Sequence, residues 1–217
     1  MHRLRDQLYY CYSGGRAIFL DAGGGRYFCL PPAGETAFLD FQNGSASDDQ
    51  FDWLKSKNIL VESNGQPCPS ASTENIARPI DQLDMCARPT AFDMYAAMSA
   101  RVSTHLLLRY RGFGWAYRSI LAGKAKQNPA DKGDRIRDTT TIAAAFQKTD
   151  ILLGNTDRCL PRSLAFLRLC NARRHFPSLV IGVRTNPFTA HAWVQCEGMV
   201  LNDSVDQVRV FTPILVL

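Results

Sequence analysis

Short apolar runs alternate with glycine-rich stretches over the first part of the chain, at residues 8–12, 17–22 and 26–30. The runs are rich in aromatic and β-branched residues, which is typical of strands. Ser13-Gly14-Gly15 and Gly23-Gly24-Gly25 separate them, and glycine adopts the positive φ that tight hairpin turns need. The pattern predicts three antiparallel strands.

The pattern then changes to helical spacing. Residues 35–41 and 48–57 predict two helices, the second with Ser47 or Asp48 as its N-cap. Residues 59–62 predict a short strand. From Ser63 the chain becomes polar and rich in Ser, Asn and Pro, which is the composition of a linker. The first module therefore consists of three strands followed by helices.

A long helical region is predicted from about Thr90 to Leu121, and a further helix over residues 138–148. Apolar residues recur along the first of these helices with a period close to 3.6, and we expect this stripe to face the core: Phe92, Tyr95, Met98, Val102, Leu106 and Tyr110.

The next helix carries the first candidate for chemistry. Leu160, Leu164 and Leu167 have helical spacing, and Pro161 is tolerated only in a first turn. The helix is therefore expected to begin near residues 156–158. Cys159 then lies at a helix N-terminus, where free N–H groups and the helix dipole favour a thiolate.

Two strands are predicted after this helix. Residues 179–183, LVIGV, form a continuous apolar run of the kind buried on both faces, and residues 190–195, AHAWVQ, alternate. A three-residue hairpin loop at 196–198 would place His191 opposite Asp203, with Cβ atoms ~5 Å apart. A two-residue loop, Glu197-Gly198, would instead place Asp203 opposite Ala192. We expect the former, since glutamate fits the left-handed conformation poorly.

Cys159, His191 and Asp203 have the residue types of a nucleophile, a base and the group that orients the base. A single histidine on a strand is more often an ordinary core residue. The combination with a cysteine at a helix N-terminus and an acid on the neighbouring strand favours cysteine catalysis.

Composition limits the other classes. The chain has 217 residues, and its 46% apolar and 21% charged content is typical of a globular protein. No apolar run approaches the ~20 residues of a membrane span, and the N-terminus lacks a signal sequence. Seven cysteines without a CxxC pair indicate neither a disulfide framework nor a zinc site. We therefore expect a cytoplasmic protein with no membrane contact, metal or other cofactor.

Charge divides the chain unevenly. Residues 1–75 carry 6 Lys or Arg against 9 Asp or Glu, whereas residues 76–217 carry 19 against 11. This difference indicates two modules. The most basic stretch, residues 101–137, contains no nucleic-acid-binding motif, so no nucleic-acid partner is expected.

Residues 179–203, LVIGVRTNPFTAHAWVQCEGMVLND, are similar to the signature of the lasso-peptide maturation proteases, the B proteins. That signature has the form LVIGVRT-x-PF-x-x-H-x-WVE, followed by a glycine turn and ND. Gln195 stands where the family has Glu. The order of Cys, His and Asp more broadly resembles transglutaminase-like, papain-related cysteine hydrolases.

The resemblance implies an α+β fold in two domains. Residues 1–65 would form a winged-helix-like, PqqD-like domain that recognises a leader peptide, residues 66–88 a linker, and residues 89–217 a transglutaminase-like protease domain with helices and an antiparallel sheet. The leader would add as a strand to residues 26–30 and pack on the helix at 48–57. Residues 1–75 would then bind leader on their own. The expected contact residues are Tyr27, Phe28, Cys29, Leu30, Phe51 and Leu54.

The resemblance also implies an activity. Cys159 would attack the carbonyl at the leader–core junction of a ribosomal precursor peptide, with His191 as acid and base and Asp203 orienting it. The Cys159 N–H would hold the oxyanion, and Asn155 would either be its second donor or cap the helix, of which we favour the cap. Arg184 would either bind substrate or be a solvated residue at the end of a strand. The freed core amine would pass to an asparagine-synthetase-like cyclase that closes the macrolactam ring. The alternatives are acyl transfer by the same three residues, and a non-catalytic protein that presents the precursor.

Overall fold

The structure of the chain is a computed structural model that describes residues 2–62, 81–82, 87–124, 135–153 and 159–217. Helices and antiparallel strands occur in both parts of the chain, so the predicted α+β class is confirmed. No helix in the described ranges combines the length and apolar character that crossing a membrane requires.

The N-terminal part has five strands and two helices. In chain order they are β1 (His2–Leu4), β2 (Leu8–Ser13), β3 (Arg16–Asp21), β4 (Arg26–Cys29), α1 (Pro32–Asn43), α2 (Asp48–Ser56) and β5 (Leu60–Glu62). Strands β2, β3 and β4 form an antiparallel sheet in that order, and β1 pairs with β5. The three strands and two helices predicted from the sequence are present. Strand β1 was missed because its sequence, HRL, has a single apolar residue.

Local sequence explains where the two helices begin and end. Ser47 and Gln50 form a reciprocal capping box at the start of α2, in which each side chain bonds the other residue's backbone N–H. Helix α1 has a proline in its first turn and ends at Gly44, which takes the left-handed conformation (φ 73°).

The C-terminal part consists of four helices and five strands. In chain order they are β6 (Asp81–Gln82), α3 (Ala91–Lys124), α4 (Arg135–Leu153), α5 (Cys159–Ala172), β7 (Ser178–Arg184), β8 (Thr189–Cys196), β9 (Met199–Val200), α6 (Val205–Val208) and β10 (Thr212–Val216). The sheet order is β10-β7-β8-β9-β6, with only β6 parallel to its neighbour. Strand β6 falls inside the segment predicted as a linker.

The apolar stripe expected to be buried on α3 is exposed, and that prediction was wrong. Phe92, Tyr95 and Tyr110 are 73%, 73% and 80% exposed. Over residues 91–111 of α3, the buried residues are small or polar instead, such as Ala97 and Thr104. Counting only large apolar positions therefore selected the opposite face of the helix.

The sheet β2-β3-β4 is apolar on both faces. Phe19 and Leu8 face α1 and α2 and belong to the N-terminal core. Ile18 and Leu20 face the other way, into the core that the C-terminal helices and sheet form. The Tyr9 hydroxyl also lies 2.6 Å from the Tyr117 hydroxyl of α3. The second of these cores therefore contains residues from both parts of the chain, whereas the first belongs to the N-terminal part alone.

Glycines allow the close approach between the two parts. Helix α3 is interrupted at Gly112, where φ is 69° and ψ is 176°. Two residues later, a side chain on Gly114 would overlap the Gly23 carbonyl in the turn between β3 and β4. The absence of a Cβ at Gly114 thus lets the hairpin turn sit directly on the helix.

Replacing Gly114 with alanine is expected to destabilise the chain by about 1–3 kcal/mol, because the new methyl group meets backbone that cannot rotate away. Gly123 is the matched control: it lies in the same helix, and a methyl group added there would meet nothing within 4 Å. Gly123→Ala should stabilise by about 0.5–1 kcal/mol. Urea denaturation of the two variants measures both effects. Equal stability of the two proteins would contradict the close contact at Gly114.

Candidate active site

Cys159 begins α5 as far as the structure describes that helix, and Pro161 follows two residues later. Its side chain is partly buried. The N-terminal turn of a helix presents unpaired N–H groups, which stabilise a negative charge nearby. Asn155, a candidate for the second oxyanion donor or the helix cap, lies outside the described residues.

His191 is supplied by β8, whose antiparallel pairing with β7 places it opposite Gly182. A side chain at Gly182 would come within 2.9 Å of the Phe211 side chain and 2.9 Å of the Trp193 ring. The glycine therefore keeps space for the aromatic residues beside His191. The ring of Phe211 stacks on the imidazole at a centroid distance of 5.0 Å.

The hairpin between β8 and β9 has the two-residue loop, and the three-residue loop expected from the sequence was wrong. Cys196 pairs with Met199 and Gln195 with Val200. Glu197 and Gly198 both have positive φ, 49° and 86°, which is typical of a type I′ turn. The turn's compatibility with strand twist outweighs the poor intrinsic fit of glutamate to this conformation.

Asp203 nevertheless reaches His191, because the chain leaves the ladder after β9. The Asn202 side-chain oxygen accepts a hydrogen bond from the Val194 N–H at 2.8 Å. This side chain therefore supplies the acceptor that a backbone carbonyl would supply if β9 continued. The following residue then turns toward the imidazole, and the Asp203 Oδ2 lies 2.7 Å from His191 Nε2. The predicted contact between His191 and Asp203 is therefore present. A bend after β9 produces it, and not the pairing of two strands.

The Cys159 thiol contacts the same imidazole. Burial alone would raise the pKa of Cys159, but a hydrogen bond with His191 and backbone N–H groups of Ala192 and Leu160 outweigh it and lower that pKa. Because His191 Nε2 faces Asp203, the other ring nitrogen is left for the sulfur. The three predicted catalytic residues thus lie in one contiguous chain of contacts.

The imidazole is held in its charged form. Burial favours neutral His191, but the hydrogen bonds with Asp203 and Cys159, and their negative charges, raise the pKa of His191 to about 9. A lowered thiol pKa next to a raised imidazole pKa describes a thiolate–imidazolium pair. This is the reactive form of a cysteine nucleophile with its proton donor.

A buried polar network holds the three residues in place. The Ser163 hydroxyl donates to the Ala192 carbonyl at 2.8 Å and accepts from the Asn202 amide at 2.9 Å. The Arg162 guanidinium donates to the Asn202 carbonyl and forms an ion pair with Asp150. Helix α5 is thereby tied to both the His191 strand and the Asp203 bend.

Sequence reasoning missed these supporting residues. Ser163 lies within the apolar pattern of α5, and Asn202 stands out in the sequence only as part of a motif. Phe211 comes from the segment after α6, and no local pattern links it to a histidine twenty residues earlier. The indole of Trp193 donates to the Gln195 Oε1 at 3.0 Å, so Gln195 acts there as a neutral acceptor.

Arg184, expected to bind substrate, lies at the exposed end of β7. Its guanidinium carbon is 5.5 Å from the centroid of the Phe211 ring, which in turn stacks on His191. The Phe211 ring therefore contacts both the Arg184 guanidinium and the His191 imidazole.

The residues expected to contact a leader peptide fall into two groups. Leu54 is 0% and Leu30 is 5% exposed, so both lie in the core of the N-terminal part and offer no surface to a peptide. Tyr27, Phe28 and Phe51 are partly buried, and Cys29 is exposed. Strand β4 pairs on one side only among the described residues, so its outer edge is available for a further strand.

Two comparisons bear on the family. The model of the transglutaminase-like superfamily matches residues 100–216, which include Cys159, His191 and Asp203. The microcin J25-processing protein McjB of Escherichia coli is 50% identical over 46 residues, which cover 21% of this chain and 22% of that protein. No solved structure matches. Within the described ranges, no group of histidine, cysteine or acidic side chains is arranged to hold a metal ion. The family match covers more than half of the chain and contains all three candidate catalytic residues, so this protein belongs to the transglutaminase-like superfamily.

Proposed function

We propose that this chain is a cysteine peptidase that removes the leader from a ribosomally made lasso-peptide precursor. The observation that carries the proposal is the contiguous set of Cys159, His191 and Asp203, with the Asp203 Oδ2 2.7 Å from His191 Nε2. A thiolate beside an imidazolium can both attack a carbonyl and protonate a leaving amine.

The proposed reaction has two stages. The Cys159 sulfur attacks the carbonyl carbon at the leader–core junction, the C–N bond breaks, and His191 gives its proton to the departing core amine. The leader is then attached to the sulfur as a thioester. Neutral His191 takes a proton from water, the resulting hydroxide equivalent attacks the thioester, and the leader leaves as a carboxylic acid. Throughout, Asp203 stabilises the charged imidazole.

The choice of substrate is supported by the sequence resemblance and by the matched segment of a protein named for processing microcin J25. It is also supported by the outer edge of β4, which has no partner strand among the described residues and to which an extended peptide can add by backbone hydrogen bonds. The freed core amine would be the nucleophile for an asparagine-synthetase-like cyclase. We expect both enzymes to work in the cytoplasm, where cysteine thiols stay reduced.

Acyl transfer is the second candidate, because the thioester can be resolved by an amine as well as by water. Transferases and peptidases of this superfamily can use the same three residues. Which one occurs depends on whether water or an amine reaches the thioester carbon.

Incubation of the chain with a synthetic precursor peptide, followed by mass spectrometry, tests the proposal. The peptide would have the sequence of the precursor encoded beside the gene. Leader with a free carboxyl end and core with a free amine are the expected products. Leader found as an amide adduct, with an amine supplied in the buffer, would show transfer. Intact precursor, even with the partner cyclase present, would favour a protein that only presents the peptide.

A further inference from the structure

A cavity of about 370 Å³ lies between the two parts of the chain, between strand β4 and the loop that joins β7 to β8. Its volume falls within the roughly 300–1,000 Å³ of typical ligand pockets. The N-terminal part contributes Arg16, Tyr27 and Cys29, and the C-terminal part contributes Thr185 and Phe188. Neither part of the chain alone would form this cavity.

One wall of the cavity belongs to the loop that leads into the His191 strand. The Tyr27 ring packs edge-on against Phe188 at a centroid distance of 5.5 Å. Burial raises the pKa of Tyr27 to about 12, and the negative charge of Cys159 adds to this effect. Tyr27 therefore stays a neutral phenol at neutral pH. Phe188 precedes His191 by three residues.

The position relative to β4 suits an extended peptide. Tyr27 and Cys29 alternate with Phe28 along β4, so both point to the C-terminal part, while Phe28 packs in the N-terminal core. A peptide strand paired to the open edge of β4 would run beside the cavity and could insert a side chain into it. The aromatic walls favour an uncharged side chain.

At one end of the cavity, the backbone of a turn packs against a side chain. Gly14, in the turn between β2 and β3, has φ 60°, and a side chain there would overlap Thr185. The turn therefore rests directly on the loop from β7 to β8. This contact fixes the spacing between strand β4 and the loop that leads into the His191 strand.

We propose that this cavity is the subsite for the last leader residues before the scissile bond, so that the N-terminal part forms one wall of the cleavage site. The inference rests on the proposed peptidase function. It makes Tyr27 and Phe188 positioning residues, which hold the end of the bound leader in register with Cys159.

Thiol exchange provides the test, because Cys29 is an exposed native thiol in the cavity wall. A Cys159→Ala protein would be mixed with precursor peptides that carry one cysteine, as a mixed disulfide with thionitrobenzoate, at each of the last leader positions in turn. Attack by the Cys29 thiolate forms the protein–peptide disulfide and releases thionitrobenzoate. Mass spectrometry of protease fragments then identifies the protein cysteine that reacted.

We expect rapid exchange with Cys29 at one or two neighbouring leader positions, and loss of that product in a Cys29→Ser protein. Cys196 is the internal control, since it is also exposed but lies at the hairpin between β8 and β9. Equal labelling of both cysteines, or no positional dependence, would overturn the subsite. Release of leader by the unmodified chain, measured in the same series, tells this failure apart from failure of the peptidase function, which would overturn both.

Kinetics give a second measurement. Phe188→Ala is expected to lower kcat/KM for the precursor roughly tenfold through KM, a loss typical of one aromatic binding contact. Tyr110→Ala removes an equally large and more exposed aromatic residue on α3 and should keep the original value. A change confined to kcat in Phe188→Ala, or none, would contradict a binding role.

Discussion

Replacing Cys159 with alanine is expected to lower the rate of leader release by about 10⁶-fold, the scale of loss when a covalent nucleophile is removed from an enzyme. The physical reason is that no other group in the site can form the thioester. Alanine at the start of α5 leaves the helix, His191 and Asp203 in place, so leader affinity should stay unchanged. The measurement is a time course of free leader by mass spectrometry, with peptide binding measured separately.

Cys196→Ala is the control for that variant. Cys196 is an exposed cysteine at the far end of the His191 strand, so its loss tests for general effects of removing a cysteine. Its activity should equal that of the unmodified chain. Release of leader by Cys159→Ala at a comparable rate would remove the thiol from the mechanism.

Replacing Asp203 with asparagine is expected to lower kcat by about 10⁴-fold, as in other triads where the orienting acid becomes an amide. Asparagine keeps the shape of the side chain, but it cannot compensate the charge of an imidazolium. Burial, which opposes the charged form of His191, then dominates, and the pKa of His191 falls from about 9. The residual activity of the variant should therefore depend on pH differently from the activity of the unmodified chain.

The sign of that change follows from which form of each group reacts. Release requires the Cys159 thiolate, favoured as pH rises, and the His191 imidazolium, lost as pH rises through about 9. Activity of the unmodified chain should decline above pH 9, and this alkaline limb should move to lower pH in Asp203→Asn. Rates from about pH 6 to 10 measure it. An unmoved alkaline limb would assign that limb to a group other than His191.

Much of the site was predictable because its signals are local. The position of Cys159 close to a helix N-terminus is indicated by Pro161 and the apolar spacing after it, and the start of α2 is indicated by its N-cap candidates Ser47 and Asp48. These features depend on residues within one or two turns. The contact between His191 and Asp203 was also expected, although for the wrong structural reason.

The remaining features depend on tertiary contacts that no single segment encodes. Asn202 replaces a strand residue in the ladder only because its amide is also held by Ser163, thirty-nine residues earlier. The exposed face of α3 could not be told from its buried face by hydrophobicity, because Ala97 and Thr104 supply the packing. The sequence likewise did not indicate that both faces of the β2-β3-β4 sheet are buried. Burial of one face alone already accounts for the apolar residues in these strands.

The core shared through Ile18 and Leu20 restricts how such enzymes can be recombined. Under the proposed function the first sixty residues recognise the leader, so a chimera that takes them from a relative must also import partners for these side chains, and a hydroxyl to meet Tyr117. Without these partners, the chimera would expose apolar side chains at the contact between its two parts. The cavity beside β4 would then be displaced relative to Cys159. The two parts of the chain would therefore have to be exchanged together, because a change in peptide specificity would also change the catalytic rate.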